Sequence, residues 1–190
     1  MNEKVMTRLE LPLLFVQMGL KTGVEIGVHK GYFSKSILEV SGIEKLHSVD
    51  IWLNTDGSFA SNLYEECRDR LAIFGTRSEI VICPSPKAAE RFCDGSLGFV
   101  YIDANHSFEA CSADLDAWMP KVMPGGVISG HDYKNRGMAQ TKDYLKEGGA
   151  AGRCRVRAAV DEFVKKHSLN LNVTEERCPS WWFVKPNFSV

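Results

Sequence analysis

The sequence has no surplus of charge of either sign. Its 23 lysines and arginines nearly balance 24 aspartates and glutamates, leaving a formal net charge of -1. No global field therefore draws it to nucleic acid or to an anionic membrane, and the expected partner is a small molecule. Long apolar runs are missing too. The stretch from Leu11 to Val16 falls far short of the ~20 residues of a membrane span, and no small-residue cleavage site follows it, so neither a membrane helix nor a signal peptide is expected. The six cysteines, Cys67, Cys83, Cys93, Cys111, Cys154 and Cys178, never form Cys-x-x-Cys, which excludes the usual zinc and redox templates. Thiols in apolar settings such as Ile80-Val81-Ile82-Cys83 behave as small core hydrophobes, pointing to a reducing, cytoplasmic compartment. Internal repeats and linkers are also lacking.

What remains is an ordinary globular composition, 44% hydrophobic and 25% charged, over 190 residues. That length suits one domain spanning residues 1–190. The chain alternates regularly. Lys21 to Gly27 reads as a strand entering a glycine turn, and Phe33, Ile37 and Val40 stripe the helix that follows. Leu46–Val49, Glu79–Cys83, Leu97–Asp103 and Gly125–Gly130 read as further strands. Between them, helices are expected over 58–74, 86–92 and 107–119. Ser107 is the expected N-cap of the helix carrying Phe108, Cys111, Leu115 and Trp118, which Pro120 closes. Repeated β-α units of this length predict a parallel sheet with right-handed crossovers and helices on both faces, a three-layer doubly wound α/β sandwich. Residues 133–152 are polar and glycine-rich, a surface loop or lid. A last helix carries Val156, Val160 and Phe163, and strands over 169–174 and 181–184 close the chain.

In such sheets ligands collect beyond the carboxyl ends of the strands, where the strand order reverses. The first strand runs into Val24-Glu25-Ile26-Gly27-Val28-His29-Lys30-Gly31. A dinucleotide fingerprint would need glycine at position 29, and Glu25 would repel a pyrophosphate while attracting an ammonium. Asp50, ending the second strand, can accept both hydroxyls of a ribose. A cationic nucleoside without phosphates satisfies both acids, and S-adenosylmethionine is such a molecule. Two plainer readings stay open, a capping or paired carboxylate for Glu25 and a turn residue for Asp50. Asp103 and His106 follow the fourth strand, and Gly130-His131-Asp132-Tyr133 follows the fifth, so two strand tips bring acids and imidazoles to one point.

The strings Gly23 to Ser34, Ser48-Val49-Asp50-Ile51-Trp52 and Tyr101 to Tyr133 resemble the class I S-adenosylmethionine-dependent methyltransferases. Within them they are most similar to the branch containing macrocin-type O-methyltransferases. The resemblance implies a seven-stranded, mostly parallel sheet whose last strand is antiparallel. It also implies that Glu25, Gly27, Val28, Gly31 and Asp103 surround the methionine part of the donor, that Asp50 holds the ribose, and that Ser85 lies near the adenine. Ser85 can equally cap the helix begun by Pro86.

Methyl transfer to a hydroxyl needs in-line alignment and removal of a proton, for which a histidine is suited at neutral pH, here His106, with Asp103 beside it. In the resembling enzymes, acids at the places of Asp103 and Asp132 hold a divalent cation, magnesium or manganese, and His131 would join them. Imidazole there suits manganese, zinc or iron better than magnesium. Two other classes remain: a nicotinamide-linked oxidoreductase on the same architecture, and a non-catalytic nucleoside-binding module. The acceptor pocket is expected in Met1 to Thr22 and Tyr133 to Gly152, and self-association into a homo-oligomer is compatible with the sequence.

Overall fold

The computed structural model describes residues 5–54, 56–134 and 154–187. Five strands, β1 (Thr22–Ile26), β2 (Lys45–Asp50), β3 (Ser78–Ile82), β4 (Leu97–Ile102) and β5 (Val122–Gly130), run parallel, and β6 (Asn172–Val173) and β7 (Trp181–Val184) complete the sheet. The order is β3-β2-β1-β4-β5-β7-β6, with β7 antiparallel to both neighbours. The chain thus winds outward from β1 to β3, returns to lay β4 beside β1, and winds outward again. The reversal of strand order falls between the carboxyl ends of β1 and β4, where the crossover helices diverge and leave a crevice.

Alternation along the strands sends side chains to two apolar layers. Val24, Ile26, Val100, Ile102 and Ile128 pack against α4 (Ser85–Ala89), α5 (Phe108–Trp118) and α6 (Val156–His167). Leu46, Phe99, Tyr101 and Val127 face α1 (Leu11–Gln17), α2 (Tyr32–Glu39) and α3 (Ser61–Leu71). The central parallel strands β1 and β4 are buried on both faces, β4 along its whole length, which is why they read as nearly continuous hydrophobic runs, whereas the edge strand β3 is only partly buried.

Three departures from the sequence reading have physical reasons. The short apolar stretch from Leu11 to Val16 is the helix α1, and Pro12 in its first turn costs it nothing, since its missing N–H would have had no partner there. Phe15 of α1 stacks on Phe99 of β4, ring centroids 4.2 Å apart, and Gly23 leaves room for the Phe99 ring. Helix α3 begins at Ser61 rather than near Ser58, because a bridge between Leu53 and Phe59 holds the preceding residues extended. The strand expected over 169–174 is only two residues long, since Ser168, in the left-handed region, ends α6 and Leu169 folds back onto Val164. Ser107 caps α5 as expected, its hydroxyl accepting from the Ala110 N–H at 3.2 Å. Beyond Lys134, the loop or lid read over 133–152 lies outside the described residues.

Candidate active site

The backbone ladders run one residue past the strand ends. Gly27 donates to the Val49 carbonyl, Asp103 to that of Ile26 and His131 to that of Ile102, at 2.9, 2.7 and 3.0 Å. The tips of β1, β4 and β5 are therefore level. Gly27 is required where two of them cross: its φ is +83, and a Cβ there would lie 2.1 Å from the Asp103 carbonyl oxygen.

A cavity of about 960 Å³ opens over these tips. Its wall includes Gly27, Asp50, Ser85, Asp103, His106, His131 and Asp132, so the fold brings together seven of the residues singled out from the sequence. Three others stand elsewhere. Glu25 is one residue short of the strand end, so alternation turns it sideways beneath the first turn of α2. There it is 2% exposed and accepts from the Ser34 hydroxyl, which also meets Ser48 at 2.9 Å. Burial pushes the Glu25 carboxyl up to about 8 against the Ser34 hydrogen bond, with Asp103 and Asp50 adding to the rise and Arg8 opposing it. Val28 is buried in the layer around α2, and Gly31, with φ +76, packs against Cys67 of α3.

Asp50 is held by backbone. One carboxylate oxygen accepts the His29 N–H at 2.8 Å and the other the Trp52 N–H at 2.9 Å, while the Trp52 indole donates to the His29 carbonyl at 2.8 Å. Both His29 and Trp52 have positive φ, so the two turns are bent to aim their N–H groups at this one side chain. At the β3 end, Ser85 donates to Asp114 of α5 and accepts from the Trp118 indole at 2.9 Å. Asp114 is 3% exposed, and burial raises its carboxyl to about 6, partly offset by the Ser85 hydrogen bond.

The β4 and β5 tips carry the titratable cluster. His106 Nε2 lies 3.3 Å from Asp103 Oδ1 and 3.3 Å from Asp132 Oδ2. Burial would lower the pKa of this imidazole, but the hydrogen bond to Asp103 and the charges of Asp103 and Asp132 outweigh it, so the pKa is raised. With both carboxylates on Nε2, the neutral ring keeps its proton there and leaves Nδ1 as the basic nitrogen. Asp132 is the complement: despite burial, His131, His106 and Lys134 hold it well below the usual carboxylate range. Asp103, His131 and Asp132 present donor atoms all within 4.8 Å of one another, the spacing a single divalent ion can bridge. Arg8 also reaches this wall, Nη1 lying 3.7 Å from Asp103 Oδ2.

Arg8, Trp52 and Asp114 were not singled out from the sequence. Only Asp114 left a signal, a carboxylate on the same stripe of α5 as Cys111 and Trp118, where an apolar residue is the rule.

A family model described as a methyltransferase domain matches residues 24–133, more than half of the chain and all of the segment carrying these tips. The chain belongs to that family. It carries that methyltransferase domain, folded as a seven-stranded sheet in which β7 runs antiparallel to both its neighbours. Three solved structures share the architecture. Cofactor-bound Rv0187 from MTB is 17% identical, with a TM-score of 0.66 over 94% of this chain and 79% of that one. An O-methyltransferase from Bacillus cereus in complex with SAH is 17% identical, with a TM-score of 0.64 over 93% and 80%. The SAH-bound methyltransferase PaMTH1 of Podospora anserina is 12% identical, with a TM-score of 0.65 over 93% and 76%. At these identities the likeness is one of fold. Among curated proteins, y4gI of Sinorhizobium fredii, described as uncharacterized, is 23% identical over 119 residues, 60% of this chain; the match spans only 13% of that protein's length. No helix among the described residues is long and apolar enough to cross a membrane.

Proposed function

We propose that the protein transfers the methyl group of S-adenosylmethionine to a hydroxyl of a small-molecule acceptor, with His106 as general base. The observation that carries this reading is the pairing, in one cavity, of a backbone-held carboxylate at the β2 tip with an imidazole set between two carboxylates at the β4 and β5 tips. Asp50 spends one lone pair of each oxygen on backbone N–H groups and keeps the others for the two ribose hydroxyls. Ser85 and Asp114 bound the adenine end. Level tips hold donor and acceptor in line, a large contribution to the rate of a displacement at carbon.

The acceptor proton passes to Nδ1 of His106 as the oxygen attacks the methyl carbon, the carbon–sulfur bond breaks, and S-adenosylhomocysteine leaves. Asp103 and Asp132 hold the imidazole in the required tautomer and stabilise the imidazolium that forms. The donor set of two carboxylates and one imidazole fits a divalent cation, so Asp103, Asp132 and His131 would hold magnesium or manganese. Such an ion would lower the proton affinity of the acceptor oxygen. Arg8 and Lys134, 3.7 and 3.6 Å from these carboxylates, already supply part of that positive charge. The six unpaired thiols, with Cys67 and Cys111 pushed up to about 12 by burial, fit a reducing compartment, and we assign the enzyme to the cytoplasm.

Thermal shift with S-adenosylmethionine, S-adenosylhomocysteine and NAD tests the reaction class. The two sulfur nucleosides are expected to raise the melting temperature and NAD to leave it unchanged. The reverse would favour a nicotinamide-linked oxidoreductase, and nucleoside binding without turnover on any hydroxyl acceptor would favour a binding module.

A further inference from the structure

The donor assigned above has a part for which none of the residues expected from the sequence provides: an α-carboxylate. The described wall of the cavity bears four carboxyl side chains, Asp50, Asp103, Asp114 and Asp132, and an anion entering there meets like charge almost everywhere. The histidines are committed, His106 to Asp103 and Asp132, and His131 to Asp132, which it hydrogen-bonds. Among the described residues of that wall, Arg8 is the one lysine or arginine.

Arg8 belongs to a short 3-10 turn (Arg8–Glu10) leading into α1, and its backbone N–H is tied to Glu176 at 2.8 Å. The guanidinium lies over the ring of Phe33, in the first turn of α2, 5.2 Å from its centroid, beside Tyr101 and Asp103. Its 3.7 Å separation from Asp103 Oδ2 is longer than a hydrogen bond; the guanidinium also hydrogen-bonds Tyr101, which occupies only part of its five-donor fork. A carboxylate and a guanidinium side by side complement a zwitterion, with the ligand's ammonium toward Asp103 and its carboxylate toward Arg8. Order along the sheet agrees. Ser85 and Asp114 stand beyond β3, Asp50 beyond β2, and Arg8 with Asp103 at the β1–β4 junction, the order of adenine, ribose and amino acid in the donor.

We propose that Arg8 is the counter-ion for the α-carboxylate of the methyl donor, forming with Asp103 a receptor for its amino-acid tail. This rests on the assignment of S-adenosylmethionine as donor. The task given to Glu25 by the sequence then passes to Asp103, and Glu25 acts from behind, fixing Ser34 and the start of α2.

The test is titration calorimetry of the full chain and its Arg8→Gln and Arg8→Lys variants with two ligands. S-adenosylhomocysteine has the amino-acid tail, and 5′-methylthioadenosine has the same nucleoside and sulfur without it. Arg8→Gln is expected to weaken S-adenosylhomocysteine roughly ten- to hundredfold, the range for a charge-assisted hydrogen bond, and to change methylthioadenosine less than about twofold. Arg8→Lys, which keeps the charge but not the fork, is expected to fall between. Unchanged S-adenosylhomocysteine affinity in Arg8→Gln, or equal loss for both ligands, overturns the role of Arg8 and leaves the donor assignment standing. A wild-type chain that binds neither ligand overturns both. Should Arg8→Gln misfold, the ratio of the two affinities in Arg8→Lys decides the matter on the same criterion.

Discussion

The two halves of the crevice are built on different principles. On the β1–β2 side the ligand-facing group is a single carboxylate gripped by main-chain N–H groups and backed by a buried indole. On the β4–β5 side three titratable side chains, His106, Asp132 and His131, lean on one another and on Asp103. Main-chain donors cannot change protonation state, so the first half is a fixed mould suited to binding. The second half is set by mutual charge and can take up and release a proton. Binding and chemistry should therefore separate by mutation, each half failing in its own way.

The largest expected effect is on chemistry alone. His106→Ala should lower kcat by about 10²- to 10⁴-fold while leaving S-adenosylhomocysteine affinity nearly unchanged, read from initial rates and calorimetry on the same preparation. An equal loss in both would show that the halves are not separable. Next comes binding alone: Asp50→Ala removes the ribose acceptor and orphans two N–H groups, and should weaken S-adenosylhomocysteine roughly ten- to hundredfold.

Smaller, and specific to the coupled half, is the pH response. Because the two acids raise the His106 pKa and the base must be neutral, the rate should climb as pH rises through that raised value. Asp132→Asn removes one of the charges and should move this acid limb to lower pH. A limb that stays in place would assign it to another group. Smallest is a stability effect remote from the chemistry. The Asp114 carboxyl is raised to about 6 in the folded protein, above its unfolded value. Its contribution is therefore fully present below the unfolded pKa and is lost as pH rises through about 6. Asp114→Asn, which keeps an acceptor for Ser85, should gain stability over wild type on the order of 1–2 kcal/mol near pH 8, less near pH 5 and little near pH 3, by urea denaturation at the three values.

The same contrast explains what could be read without coordinates. Strand tips are legible because a parallel strand buried on both faces announces itself as an apolar run, and the polar residue ending it must emerge at the edge. Asp50, Asp103, His106 and the His131-Asp132 pair were located that way. Glu25 was misdirected by one residue: it looks like part of the tip in the string, but alternation points it under α2. Gly27 lines the cavity and also yields space to the crossing β4 tip, while Gly31 packs against Cys67. Arg8 could not be found, because it reaches the crevice from a segment outside the β-α alternation, and nothing local to Thr7-Arg8-Leu9 says which wall it will meet. His29 shows the converse. Its ring carries no assigned task, yet its backbone N–H and carbonyl brace Asp50.

A crystal structure of the protein with S-adenosylhomocysteine bears most directly on the division between a binding half and a chemical half. Expected are the ribose hydroxyls on Asp50, the adenine toward Ser85, and the sulfur facing the side of the cavity that holds His106. An empty crevice after soaking, or a nucleoside lying with its ribose against the β4 and β5 tips, would contradict it.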